Sequence, residues 1–351
     1  MNANRTFAEI SSSSFATEDW QTRELLREFH GVKPAVYWTD FLITAVIGWT
    51  ALAVAVILRP FSWGMLFAAA VAVAALYRGL CFIHEISHQS KKALPGFEMV
   101  WNLLMGYPLL LPSFVYAGVH QSHHKLSTYG TTLDPEYLPF AGNCLMTVLF
   151  GLESFLIPLA LVIRFLLLSP VGFISPAFQE WLVMHLSSLT MNVAYRREAT
   201  PELSRKVQMQ SGIVLLFWLG LVSLAAAKIL PWRFFIVWLG VSAAISFVNT
   251  LRTLGAHAYQ SSGEPMDREA QLLDSIDTPG ALWTELWAPV GLRYHALHHY
   301  FPGIPYHDLS KAWRRLLTAL PRDAVYHKAR SRGLVWSLGA LCRRGLRSRA
   351  S

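Results

Sequence analysis

Charge is scarce in this chain. Asp, Glu, Lys and Arg make up 15% of its 351 residues against 53% for the apolar types, a balance that excludes an ordinary soluble domain and points to a membrane protein. Cysteine is rarer still: Cys81, Cys144 and Cys342 stand without C-x-x-C spacing, which argues against a disulfide framework and against a cysteine-ligated zinc or iron–sulfur site. Any electrons for redox chemistry must then come from another protein. There is no fixed-period repeat, and no low-complexity linker beyond Ser11–Ser14, so one membrane domain is expected. The opening residues lack an apolar core with a small-residue cleavage site, so no removable signal is expected and the N-terminus is placed on the cytoplasmic side. The formal net charge is +8. Its basic residues flank apolar runs in a positive-inside arrangement, which sets nucleic acid aside as a partner.

Long apolar runs are what the chain does have. Phe41 to Leu58 and Phe61 to Ile83, broken only by Arg59-Pro60, are each long enough to cross roughly 30 Å of hydrocarbon at about 1.5 Å per residue, and read as a hairpin. Gly212 to Leu230 and Phe234 to Leu254, broken at Pro231-Trp232-Arg233, repeat the plan. Arg78, near the end of the second run, is expected to snorkel to lipid headgroups. The stretch Cys144 to Leu168 is also long enough to span but carries Glu153, Pro158 and Arg164. A single crossing there would put "YRREATPELSRK" (Tyr195 to Lys206) outside, against the charge rule, so the run is expected to lie in the interface or to return as a re-entrant hairpin with Val171 to Ala194. The expected fold is thus all-α and integral to the membrane: two transmembrane hairpins giving four spans, interfacial helices and a histidine-rich cytoplasmic cap. It divides as an N-terminal segment 1–36, a membrane domain 37–329 and a basic tail 330–351, with both termini cytoplasmic.

Histidine supplies the chemistry. "HEISH" places His84 and His88 one helical turn apart with Glu85 between them, the H-E-x-x-H pattern in which a zinc protease uses the Glu as its base. Two further runs change that reading. "HQSHH" holds His120, His123 and His124, and "HALHH" holds His295, His298 and His299; spacing of i, i+3, i+4 keeps three imidazoles on one helical side while splaying the adjacent pair by about 100°, so neighbours can reach two different metals. His257, at the end of the last span, makes nine. Nine imidazoles exceed what one catalytic zinc takes and suit two metals of higher coordination, which leaves Glu85 an acceptor for an imidazole N–H or an interfacial charge. Other carboxylates placed to orient imidazoles are Asp134 and Glu136 in "YGTTLDPEY" and Asp274 and Asp277 after the last span. His185, in an apolar stretch, reads as structural.

Hairpins together with "HEISH", "HQSHH" and "HALHH" resemble the membrane fatty acid desaturase and hydroxylase superfamily, over about Phe41 to Tyr326. The resemblance implies a non-haem di-iron centre on the three histidine boxes plus one further histidine, hence His84, His88, His120, His123, His124, His295, His298, His299 and His257. The three-residue gap in the first box is closer to the acyl-lipid desaturase and carotenoid ketolase branches than to the acyl-CoA branch. In the latter an asparagine four residues before the extra histidine approaches the metal through water; that position here is Thr253, with Asn249 one turn back. The implied reaction uses O₂ as co-substrate and a lipid or fatty acyl chain as substrate, with a separate ferredoxin-like electron-transfer protein and its reductase. Introduction of a double bond is the leading expectation. Hydroxylation or ketolation of an acyl, carotenoid or alkane substrate is the alternative. A membrane zinc protease is remote, and a metal transporter would place its ionisable groups at mid-bilayer rather than at span ends.

Overall fold

The computed structural model describes residues 7–348; the expected placement of residues 1–6 and of 349–351, Arg349 included, falls outside them. Among the described residues the chain is helical, with only isolated β-bridges. The first hairpin pairs Pro34–Ile57 with Trp63–His88 and the second pairs Pro201–Ala226 with Arg233–Ala256. Local chemistry sets their starts: Ser62 accepts from the Met65 N–H and Thr200 from the Leu203 N–H, and Pro34 and Pro201 sit where a missing N–H costs nothing. The cap at Thr200 begins the third of these helices eleven residues before its apolar run does. At Gly48 the two helices of the first hairpin touch, and a Cβ there would lie 2.7 Å from Leu76 Cδ2.

Large apolar side chains such as Trp63, Phe67, Leu216 and Ile236 stand exposed along these helices. A soluble protein would bury them; an outer surface of this kind is built for lipid, and the protein is integral to the membrane. Five helices are long and apolar enough to cross. Four are those of the hairpins. The fifth, Cys144–Ile174, contains the run expected from sequence in the interface or as a re-entrant hairpin, and it is not a plain rod: a 3₁₀ turn at Ser154–Leu156, Pro158, a π-turn at Ile163–Leu168 and Pro170 interrupt it. Its beginning and its return meet. Met146 and Phe150 pack with Met191 around Tyr137 and Tyr259, and the Met191 N–H bonds the Pro135 carbonyl at 2.9 Å. The run's first turns and the segment after its return thus both pack at the histidine end of the bundle.

Two sequence expectations fail here. Arg78 does not reach for headgroups; it bonds Asp40 at 2.5 Å and Glu285 at 3.1 Å, pinning the first hairpin to the loop before the last histidine box. Cys144 and Cys342 form a disulfide, with Cα atoms 4.6 Å apart across 198 residues of chain. Spacing hides this pairing because it depends on the helix Leu334–Ser348, within the basic tail, folding back against Cys144–Glu153 and Arg233–Ala256. Leu341 is buried there. Cys81 stays free and buried.

The cap has its own core. Phe15 and Leu26 of the N-terminal helix Phe7–Leu26 pack with Leu297, Tyr300, Leu309 and Leu316, so the segment read as a separate N-terminal piece covers the last histidine box. On the opposite side Arg197 ties loops together, its Nη1 donating to the carbonyls of Phe114 at 2.7 Å and Ser187 at 3.0 Å and its Nη2 to that of Ala117. Arg197→Met should leave these half-buried carbonyls unpaired and lower stability by about 2 kcal/mol. A fall in the thermal unfolding midpoint of the detergent-solubilised protein would register it; an unchanged midpoint would mean the loops hold without it.

Candidate metal centre

Each histidine box arrives by a different route. His84 and His88 end the second span. Gly118, at φ 82°, turns the chain into the short helix Val119–His124, a conformation favouring glycine. The Gln121 side chain of that helix accepts from the Gly118 N–H and donates to the Ser87 carbonyl, joining second box to first. His257 follows the last span, and the bridges His257–Ser275 and Asp277–Tyr294 fold the intervening loop so that His295 comes beside it. His295–Tyr300 is anchored by Asp277, whose carboxylate accepts from the Leu297 N–H at 3.1 Å and from the Tyr326 hydroxyl at 2.6 Å. Burial pushes the Asp277 carboxyl up to about 7, against these bonds that hold it down.

All nine histidines converge, in two sets. His84, His88, His120, His124 and His298 form one and His123, His257, His295 and His299 the other; within each set ligand nitrogens lie within 4.8 Å of one another. The splay anticipated from spacing is what divides them. In the second box positions i and i+4 join the set of five and i+3 the set of four; in the third box the assignment is reversed. Within the sets Nε2 atoms face each other, His295 and His257 at 2.8 Å, His120 and His124 at 3.0 Å, His88 and His298 at 3.1 Å.

Both ring nitrogens of His84 and of His299 are buried without a hydrogen-bond partner. Buried polar atoms are rarely left so. Burial, reinforced by neighbouring imidazoles, pushes His120, His124, His295, His298 and His299 well below the usual imidazole range, and burial does the same to His257. They are neutral, lone-pair donors. Burial also drives His123 down, but Asp134 opposite its Nδ1 outweighs it and the net shift is upward. Nine nitrogen donors converging on two points fit two transition-metal ions.

Outer groups fix which nitrogen points inward. His123 Nδ1 meets Asp134 and His120 Nδ1 meets Glu136, each at 3.0 Å; burial pushes the Glu136 carboxyl up to about 7. Asp274 acts through Tyr129, whose hydroxyl lies 2.9 Å from both His257 Nδ1 and Asp274 Oδ2. Tyr129 stands in the same acidic segment as Asp134 and Glu136, where only the carboxylates drew notice; a tyrosine beside an acidic pair was the available signal. Glu85 takes neither role assigned to it. It accepts from the Tyr37 hydroxyl and the Tyr306 N–H, and its oxygen is 3.7 Å from His84 Nδ1, too far for a hydrogen bond. Asn249 and Thr253 bond Arg252 and share the wall of a cavity with His84, with no hydrogen bond to an imidazole among the described residues. His185 stays apart, stacked on Trp181 with Nδ1 3.0 Å from the Trp181 carbonyl.

A cavity of about 710 Å³ opens beside the set of five. His84 and Glu136 form part of its wall among Leu80, Ile83, Leu149 and Phe150. The family profile described as "Fatty acid desaturase" matches residues 60–330, from the break in the first hairpin to beyond the third box. The chain belongs to the fatty acid desaturase family. Within the curated proteins it is 38% identical over 326 residues to a ceramide hydroxylase of Caulobacter vibrioides (strain NA1000 / CB15N), a match covering 92% of this chain and 93% of that one. As a member of the desaturase and hydroxylase superfamily it is a membrane oxidoreductase of lipid metabolism. The matched span contains all nine histidines and the cavity.

Asp134→Ala should lower the affinity of the four-histidine set for a divalent cation about 10- to 100-fold, read by Co(II) titration, because His123 loses its orienting partner. Asp277→Ala touches no imidazole and should instead lower the unfolding midpoint. Equal cation affinity in Asp134→Ala and wild type would remove the orienting role.

Proposed function

We propose that the protein is an O₂-dependent di-iron hydroxylase acting on the hydrocarbon chain of a ceramide-class lipid. The observation that carries it is His84 in the wall of an apolar cavity beside two histidine sets. A lipid chain in that cavity lies alongside the set of five. Two irons held by the nine histidines would supply the power to activate O₂ and remove hydrogen from an unactivated methylene. The chain's own residues do the rest: the outer carboxylates and Tyr129 aim the imidazoles, and the aliphatic wall holds the substrate and keeps water away. The balance is C–H plus O₂, two electrons and two protons, giving C–OH and water.

Desaturation is the second reading, and the family's description favours it; the sum is then two C–H bonds on adjacent carbons with the same O₂, electrons and protons, giving C=C and two waters. Desaturation led on sequence alone, and the 38% identity to a ceramide hydroxylase moves hydroxylation ahead. A zinc protease loses its support because Glu85 is turned to Tyr37 and Tyr306. The electrons come from a separate acidic carrier of ferredoxin type, guided by exposed Lys91, Lys92 and Lys125 near the first two boxes. The histidine end and both termini face the cytoplasm.

Expression with a competent reductase in cells supplied with ceramide should give a product about sixteen mass units heavier, one oxygen gained, rather than about two lighter. A lighter, newly unsaturated product would return the assignment to desaturase. The purified protein should hold close to two irons, and His124→Ala and His299→Ala, one from each set, should each lose metal and turnover with helicity retained; one zinc per chain and an active His299→Ala variant would sink the di-iron reading. For sidedness, a cysteine replacing exposed Glu198 should resist an impermeant thiol reagent in intact cells, whereas rapid labelling would invert the topology.

A further inference from the structure

Arg252 has no place in the metal centre, yet it points into the cavity beside it. It lies five residues before His257 on the last span, and lines the cavity together with Asn249, Thr253 and His84. Its Nε reaches Asn249 Oδ1 at 3.4 Å and its Nη2 reaches Thr253 Oγ1 at 2.9 Å, both on its own helix. No carboxylate comes within ion-pair distance of it among the described residues. The other intramembrane arginine of this end, Arg78, has two carboxylates. Glu136, in the same wall, attracts Arg252 only across a distance, and a cation kept in an apolar wall without a bonded carboxylate is costly; such residues mark binding sites. The tether to Asn249 and Thr253 and a hydrogen bond with Tyr77 hold the guanidinium at the cavity wall. A guanidinium offers planar donors suited to oxygen acceptors.

We propose that Arg252 is a specificity residue that takes the carbonyl oxygen of an acyl lipid, the amide of a ceramide-class substrate or the carboxyl of a free fatty acid, and so sets which methylene lies against His84. The inference rests on the hydroxylase reading for its substrate class but not for its chemistry. The carbonyl is the fixed point and the chain is counted from it: an aliphatic wall grips any methylene equally, so only a polar contact gives the chain a register.

Binding is measured in lipid nanodiscs without reductant, so that affinity rather than turnover is read, for ceramide, for a free fatty acid and for an alkane of equal chain length. Wild type should favour at least one carbonyl lipid over the alkane by about tenfold, a margin typical of one charge-assisted contact. The lipid with the larger preference identifies the carbonyl's source. Arg252→Met should bring the preference near unity. Arg252→Lys keeps the cation should the Met variant not fold, and should retain no more than about threefold because the fork is lost. With turnover restored, hydroxyl position should spread over several carbons in both variants. A preference unchanged in either folded variant, or no preference in wild type, overturns the proposal. An Arg252-dependent preference for ceramide without any hydroxylated product would leave it standing and sink the hydroxylase reading.

Discussion

An imidazole has two nitrogens, and one that offers its lone pair inward must settle the other outward. That requirement is met by a named partner at His120, His123 and His257, and it organises the acidic side of the centre. It explains why Asp134, Glu136 and Tyr129 are carried in one loop against the second box, and why the cap is helical and tightly packed. Neutral rings with opposed Nε2 atoms persist where solvent is excluded, and three of them are also braced from behind. The cap core built from the N-terminal helix and the last box supplies the exclusion.

Much of this was legible from the order of residues. The hairpins follow from run length and from two short breaks; the histidine boxes follow from i, i+3, i+4 spacing, and so does their division between two sets. The failures share a cause. Arg78 with Asp40 and Glu285, Cys144 with Cys342, and Glu85 with Tyr37 and Tyr306 are partners far apart in sequence, and local pattern carries no information about them. A lone charge near a span end reads as snorkelling until the element that meets it is known.

Carboxylates near the boxes show the same limit in finer grain. Of those singled out, Asp134 and Glu136 meet an imidazole directly, Asp274 acts through a tyrosine, and Asp277 holds a helix by its backbone. Proximity in sequence to a histidine does not sort them, since Glu85, next to His84, bonds Tyr37 and Tyr306 instead. It says nothing of Arg252, five residues before a histidine yet lining the apolar cavity beside the set of five.

The reversed split of the second and third boxes ties the two sets together mechanically. Each box helix feeds both sets, His124 and His123 from one, His298 and His299 from the other. A rotation of either helix that tightened one set would slacken its neighbour, so neither can be tuned alone by sliding a helix. The centre is geared rather than modular: its spacing is inherited from two short helices meshed face to face, and any drift in one is passed at once to both halves.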